Sequence, residues 1–357
     1  MSARFSAPIS PSAQAAYADL LELCRHEELS RSVEHLSGSF NRKTVKNTTY
    51  WYYQVTDSQG GSTRQIFVGP DGDKVRELIA RAASRSTARL DTLAKGAIAL
   101  GCAATTPAHF RIVRRLNEIG FFRAGGVLVG AHAFLAYGNA LGVSWSDLAR
   151  TQDIDFAHAG RDLDVALPAT LRIDTKDAIE HLEEGFLPVS GFRPKDKTAT
   201  FMSKVDRTLR VDFLTPMVGG RDRVFEHDSL GVNLQPLRFL EFLLEDVDQA
   251  VVLSAAGAKM VNVPDSARFA LHKLLVYAER RGRSPEKAMK DLRQAAALLE
   301  VLANLRDDAV KRLWRDLLDR GPGWRRRARK GLTSLEKELP PSELVRSMKV
   351  TLEKREG

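Results

Sequence analysis

One segment, Gly125 to Ala159, constrains the fold of this chain more than any other. Val127 to Val129 are predicted to form a short buried strand, Gly130 permits a tight turn, and His132 to Tyr137 begin a helix. A strand followed by a glycine turn and a helix N-terminus presents backbone N–H groups that can bind a phosphate. Glycine also ends strands for steric reasons, so the turn alone leaves both interpretations open.

Aspartate pairs with one intervening residue occur four times, and only one pair lies in a strand pattern. The pairs are at positions 71/73, 153/155, 162/164 and 246/248. Asp153 and Asp155 alternate with apolar residues, so a strand would direct both carboxylates to one face. Two neighbouring anions repel each other unless a cation lies between them, and Mg²⁺ prefers oxygen ligands. We therefore predict that Asp153 and Asp155 bind metal.

A third aspartate, Asp212, lies in the otherwise apolar segment TLRVDFLTP. An aspartate on a buried strand face is costly unless it is paired or binds a metal. An edge strand that turns Asp212 to water is the alternative. The two cysteines, Cys24 and Cys102, match no metal-binding spacing, which excludes a thiolate zinc site and a disulfide scaffold.

These residues resemble the signature of the polymerase-beta-like nucleotidyltransferase superfamily, which has a glycine turn, two aspartates on one strand and a third on a later strand. The matching residues are Gly130 with Ala131, Asp153 with Asp155, and Asp212. The resemblance implies that the three aspartates are catalytic and hold two Mg²⁺ ions, and that Gly130 and Ala131 bind the phosphates of a nucleoside triphosphate. Ala131 departs from the usual Gly or Ser, which removes a hydroxyl contact but keeps the backbone N–H.

The layout from about Asn47 to Leu302 also resembles a bacterial group of nucleotidyltransferase-like proteins with an aromatic YWYYQ hairpin upstream. The helices after Pro264 are similar to the helical lobe of abortive-infection (AbiEii-type) toxins. This similarity implies that Lys273 contacts the triphosphate and that Asp291 is the orienting partner in the nucleotide site. It also makes a cognate antitoxin protein a possible partner. The second aspartate usual in that family is Gln294 here.

The charge of the chain favours an anionic partner. Its 54 Lys and Arg residues exceed its 45 Asp and Glu residues, which gives a formal net charge of +9. Beside Trp324 lies a cluster of five cations that could bind nucleic-acid phosphates while the indole stacks a base. These cations are Arg325, Arg326, Arg327, Arg329 and Lys330. A solvated helix face is the alternative.

An aromatic β-hairpin is predicted upstream, where TTYWYYQVT and TRQIFVGP flank a loop with two glycines. Alternation places Tyr50 and Tyr52 on one face, where they could stack a base. Packing of the hairpin on neighbouring helices is the alternative, and the pattern does not decide between them.

The predicted fold class is α+β, with a nucleotidyltransferase-type mixed sheet and surrounding helices. The 357 residues fit two or three domains. We predict a helical and hairpin region over 1–110, a catalytic domain over 111–263, and a helical lobe with a basic tail over 264–357. No apolar run reaches the roughly 20 residues of a membrane span, and the start lacks a secretory signal pattern, so we expect a cytoplasmic protein.

Together these features predict a Mg²⁺-dependent nucleotidyltransferase that moves a nucleoside monophosphate from a nucleoside triphosphate to an acceptor hydroxyl. RNA, in particular the 3′ end of tRNA, is the favoured acceptor. Two alternatives stay open: a non-catalytic nucleic-acid-binding or antitoxin-like module with this fold, and an enzyme that modifies a small molecule or a protein.

Overall fold

The structure is a computed structural model. It describes residues 5–29, 39–45, 48–56, 63–76, 87–149, 151–159, 173–189, 197–217, 219–220, 222–282, 284–339 and 342–355. The predicted hairpin loop at 57–62 and the aspartate pair at 162/164 lie outside these ranges.

A seven-stranded mixed sheet positions the predicted site. Its main order is β11 (Phe225–His227), β12 (Val232–Leu237), β10 (Arg210–Pro216), β7 (Asp153–Ala157) and β5 (Val127–Val129), and β8 (Phe186–Pro188) pairs with β9 (Thr200–Ser203). Strand β10 runs parallel to β7 and β12, whereas β5 is antiparallel to β7. β9 and β12 pair with successive parts of β10. The predicted α+β class is confirmed.

Four helices and a short strand pair pack around this sheet. The helices are α3 (Pro107–Glu118), α4 (Gly130–Leu141), α5 (Thr175–Glu180) and α6 (Leu240–Leu243), and the strands are β1 (Ala7–Pro8) and β6 (Val143–Ser144). Helix α4 follows β5 directly, as the sequence predicts, and ends at Gly142, whose φ of 72° suits a residue without a Cβ. The buried rings of Phe156 and Phe213 stack on the two central strands.

The C-terminal part of the chain is helical, as predicted. It contains α7 (Ser266–Arg280), α8 (Pro285–Leu305), α9 (Asp307–Asp319), α10 (Pro322–Glu338) and α11 (Glu343–Glu353). Asp265 caps α7 by accepting hydrogen bonds from the N–H groups of Ala267 and Arg268. Buried Trp314 donates to the carbonyl of Met348 at 2.9 Å, so α11 belongs to the same core. In the ranges that the structure describes, no helix is both long enough and apolar enough to cross a membrane.

A second, smaller core joins the N-terminal helices to a hairpin. It contains α1 (Pro11–Leu29), α2 (Thr87–Ala99) and the hairpin of β13 (Val247–Ser254) and β14 (Gly257–Pro264). The hydroxyl of Tyr17 accepts a hydrogen bond from the N–H of Val251 at 2.9 Å, and its burial raises the pKa of that phenol to about 12. Residues more than 230 positions apart in sequence therefore share this core.

The predicted aromatic hairpin is confirmed and gains a strand that the pattern did not predict. β2 (Ser39–Val45), β3 (Thr48–Thr56) and β4 (Thr63–Pro70) form an antiparallel sheet with β3 in the centre. A register shift lies between Trp51 and Tyr52. The indole N–H of Trp51 donates to Asp71, which also pairs with Arg76 and closes the end of this sheet.

Candidate active site

The structure brings the three predicted aspartates together on adjacent parallel strands. Asp153 and Asp155 lie on β7, and Asp212 of β10 is in direct register with Asp155. Neighbouring strands are about 4.8 Å apart, and residues in register point to the same face. Asp153 lies two residues before Asp155 and therefore shares that face. The alternative for Asp212, an edge strand turned to water, is wrong because β10 has neighbours on both sides.

Burial and mutual repulsion shape the titration of these carboxylates. Desolvation first, and then the charge of Asp212, raise the pKa of Asp155 to about 6, while Lys273 acts in the opposite direction. Burial also raises the pKa of Asp212, against the effect of a hydrogen bond that its carboxylate accepts from the hydroxyl of Thr200. A bound cation would therefore stabilise the ionised form of both carboxylates.

Gly130 occupies the one place where a side chain would collide with this carboxylate pair. Its φ is 65°, and a Cβ built on it would lie 2.2 Å from Oδ2 of Asp155. Gly130 begins α4, next to Ala131, so the backbone N–H groups of the helix start lie beside the carboxylate. The glycine of the predicted turn is therefore required by both backbone conformation and space.

The donor set fits a hard divalent cation. All three predicted ligands are carboxylates, which suit Mg²⁺. The raised pKa of Asp155 reflects its burial first and then repulsion by Asp212, and a bound cation would offset both effects. Within the described ranges, no group of three or more His, Cys, Asp or Glu side chains is already gathered as a metal site. Mg²⁺ in nucleotide enzymes is commonly held by one or two carboxylates plus substrate phosphates, so the pair of Asp155 and Asp212 satisfies the protein's share.

Lys273 and Asp291 form a buried ion pair between α7 and α8. The Nζ of Lys273 lies 2.6 Å from Oδ1 of Asp291, and the side chains are 11% and 3% exposed. Arg280 binds the other oxygen, Oδ2, at 2.8 Å. These two cations outweigh the effect of burial and lower the pKa of Asp291. Asp291 therefore fixes the position of Lys273, whose charge also acts on Asp155.

Two lysines of α8 that the sequence analysis did not assign face the carboxylates. The half-buried Lys290 interacts electrostatically with Asp155 and Asp153, and Lys287 with Asp212. Burial first, and then the charge of Lys273, lower the pKa of Lys290. The two lysines are three residues apart and hence on one face of the helix. This spacing is visible in the sequence, but nothing in it shows which face meets the strands.

Two histidines, His109 and His132, support the start of β7. The rings of His109 and His132 lie 4.4 Å apart, and His132 hydrogen-bonds to the backbone of Asp153. His109 contacts the carbonyl of Gln152 at 3.2 Å through Nε2. Burial lowers the pKa of both imidazoles. They therefore position Asp153 as neutral groups.

Gln294 of α8 has a positional role. Its Nε2 donates to the carbonyl of Leu148 at 3.0 Å, in a short 3₁₀ helix over 146–149 that precedes β7. Its Oε1 is buried with no hydrogen-bond partner. The bond to Leu148 holds α8 against the segment that leads into β7.

His272, next to Lys273 on α7, is also buried, and desolvation lowers the pKa of its imidazole to about 3.

The predicted basic cluster lies on α10 and divides into two groups. Arg325 donates to the carbonyl of Arg355, and Arg327 pairs with Glu279 and covers the ring of Phe239. The ring of Trp324 already packs against Phe239 at 4.7 Å. Exposed side chains remain at Arg326, Arg329 and Lys330. The outward part of the cluster is thus smaller than the sequence suggests, and its indole is engaged in packing.

An acidic strand face opposed by lysines, beside a glycine turn at a helix start, defines a protein that handles nucleotides through their phosphates. In agreement, residues 108–319 match a nucleotidyltransferase family model. The match spans more than half of the chain and includes β7, β10 and the ion pair of Lys273 and Asp291, so the chain belongs to this nucleotidyltransferase family. Neither the comparison with curated proteins nor that with solved structures gave a match.

Proposed function

We propose that the protein is a Mg²⁺-dependent enzyme that transfers a nucleoside monophosphate from a nucleoside triphosphate to an acceptor hydroxyl. The observation that carries this proposal is the register of Asp155 and Asp212 on adjacent parallel strands of a nucleotidyltransferase family member. Mg²⁺ held by Asp153, Asp155 and Asp212 would polarise the α-phosphate and make the acceptor hydroxyl more acidic.

The chain's own residues would bind and orient the reactants. The N–H groups of Gly130 and Ala131 seat the β- and γ-phosphates, and Lys273, held by Asp291, neutralises charge on the pyrophosphate. The acceptor oxygen bonds to the α-phosphorus as the bond from that phosphorus to the pyrophosphate oxygen breaks. The hydroxyl proton passes to the carboxylate of Asp212, the member of the pair in contact with Thr200.

We further propose RNA as the acceptor, with the 3′ end of tRNA as the first candidate. The net charge of +9 and the exposed cations Arg326, Arg329 and Lys330 support a polyanionic acceptor. The resemblance to abortive-infection toxins makes a toxin-type activity with a cognate antitoxin part of this proposal.

Label transfer tests the function directly. Purified protein is incubated with Mg²⁺, total tRNA and each of the four α-labelled ribonucleoside triphosphates. Wild type should label RNA with one or more nucleotides, whereas Asp155→Asn should not. Asp206→Asn is the matched control, because Asp206 is an exposed aspartate whose carboxylate accepts hydrogen bonds from the N–H and hydroxyl of Thr208. Equal labelling by wild type and Asp155→Asn would refute the assignment of the site.

A non-catalytic nucleic-acid-binding or antitoxin-like module is the second candidate. Ala131 and Gln294 favour it, since both depart from the residues usual in the families that the sequence resembles. This candidate predicts RNA binding that persists in EDTA, with no incorporation from any nucleotide. Labelling of protein or of a small hydroxylated molecule, with none of RNA, would keep the enzyme and change the acceptor.

A further inference from the structure

The three-stranded sheet of β2, β3 and β4 carries a solvent-facing group of aromatic rings. The ring of Phe67 lies 6.0 Å from Tyr50 and 5.6 Å from Tyr52. Tyr52 and Phe67 are direct cross-strand partners. Tyr50 lies two residues before Tyr52 on β3 and therefore on the same face. We call Tyr50, Tyr52 and Phe67 the aromatic face. Phe67 is 57% exposed, which is unusual for a phenyl ring.

The aromatic face carries positive charge. Lys43 of β2 is in register with Tyr50 and therefore lies on this face, and strands β2, β3 and β4 contain no acidic residue. The Nζ of Lys43 lies 5.3 Å from the centroid of the Tyr52 ring and donates to Gln65 at 2.6 Å. A cation thus sits within the aromatic group itself, where an approaching phosphate would meet it.

Nothing in the described part of the chain covers this face. The three strands pack extensively only on one another, and Val45 on the same sheet is 52% exposed. A contiguous exposed group of apolar rings usually marks a binding surface. The partner should combine flat apolar rings with negative charge, because the surface offers aromatic rings and the cation of Lys43, and its strands contain no acidic residue.

We propose that the aromatic face binds a single-stranded segment of RNA, the acceptor of the transfer reaction. Bases of single strands expose their π-faces and stack on tyrosine and phenylalanine, while lysine and arginine contact the backbone phosphates. Stacking of this kind tolerates different bases, so the sheet holds the strand and leaves the choice of acceptor to other contacts. The inference rests on the proposed function for the use of the bound RNA, but the binding is measurable without catalysis.

Fluorescence anisotropy with the full-length protein and labelled 12-nucleotide single-stranded RNAs of mixed sequence tests this inference. The buffer contains EDTA and no nucleotide. Phe67→Leu keeps the apolar side chain and removes the π-face, so it should weaken binding about tenfold, whereas Phe67→Trp should bind at least as tightly as wild type. Leu187→Ala is the control, since Leu187 is 50% exposed on β8, away from this sheet. Lys43→Gln should lower the salt dependence of the affinity by about 0.7 in slope.

The outcomes separate this inference from the proposed function. Loss of binding in Phe67→Leu with rescue in Phe67→Trp supports the RNA surface, whatever the label-transfer result. No RNA binding by wild type, or equal binding by every variant, overturns the inference. Label transfer to a small acceptor would in that case still support the proposed enzymatic function. If Phe67→Leu binds RNA as wild type does but changes the oligomeric state in sedimentation, the inference is overturned. The aromatic face would then be a contact between two copies of the chain.

Discussion

Replacement of Asp155 by asparagine should stabilise the metal-free protein at neutral pH while abolishing transfer. In the folded protein the pKa of Asp155 lies at about 6, against an ordinary value of 3.8. Because the folded protein keeps this proton to a higher pH than the unfolded chain does, folding takes up a proton between about pH 4 and pH 6. The contribution of Asp155 to stability is therefore fully present below pH 4 and is lost as the pH rises through 6.

The magnitude follows from the difference between the two pKa values. One pKa unit corresponds to about 1.36 kcal/mol, so ionised Asp155 costs the folded protein about 3 kcal/mol at pH 7. Asparagine has nearly the same shape and does not ionise. The free energy of unfolding of Asp155→Asn relative to wild type should thus shift by about 3 kcal/mol in favour of the variant between pH 4 and pH 7.

Urea unfolding in EDTA at the two pH values measures this shift, and each variant serves as its own reference for any constant loss of contacts. Asp206→Asn is the control, because hydrogen bonds from Thr208 lower the pKa of Asp206. Its contribution to stability is lost mainly below pH 4, so its difference from wild type should change little between pH 4 and pH 7. Mg²⁺ at a hundred times its dissociation constant should then stabilise wild type by about 2.7 kcal/mol and leave Asp155→Asn unchanged. A difference between Asp155→Asn and wild type that is the same at both pH values would refute the reasoning.

Three further predictions concern the rest of the site. Gly130→Ala should abolish label transfer and lower stability by about 1 to 3 kcal/mol, because its Cβ would meet Asp155 at φ 65°; Gly96→Ala, with open space around it in helix α2, should show neither loss, and equal behaviour of the two would contradict the steric argument. Lys290→Met should weaken calorimetric binding of a nucleoside triphosphate about tenfold and of a monophosphate far less; equal loss for both would place Lys290 outside the phosphate site. Lys273→Met should lower the free energy of unfolding by about 2 kcal/mol, because Asp291 is left with Arg280 alone; an unchanged urea midpoint would show that Arg280 suffices.

Local patterns in the sequence predicted the elements that carry the site. The two-residue period at Asp153 and Asp155 gave a strand with both carboxylates on one face, and the structure has β7 there. A buried strand at Val127 to Val129 and a helix after Gly130 were also predicted, and the structure has β5 and α4 there. These predictions succeeded because alternation and helical spacing depend on residues within a few positions of one another.

The site's environment could not be predicted in the same way. Thr200 reaches Asp212 through the antiparallel pairing of β9 with β10, and Lys290 faces β7 because α8 packs on α7. The five cations beside Trp324 were predicted as a cluster that could bind nucleic-acid phosphates, yet Arg325 and Arg327 turn inward to partners brought near by folding. Each of these contacts joins segments whose separation in sequence carries no periodic signal.

The sequence by itself determined which residues could do nucleotide chemistry: an acidic strand, a glycine turn, a later aspartate and two helices with Lys273 and Asp291. The tertiary structure alone decided that Asp155 and Asp212 are neighbours in register and that Gly130 lies against the carboxylate. The physical reason is the distance along the chain over which each interaction acts. Backbone geometry gives helices and strands short periods that are visible in the sequence. Strand order, burial and the resulting pKa of Asp155 arise only when distant segments pack and exclude water.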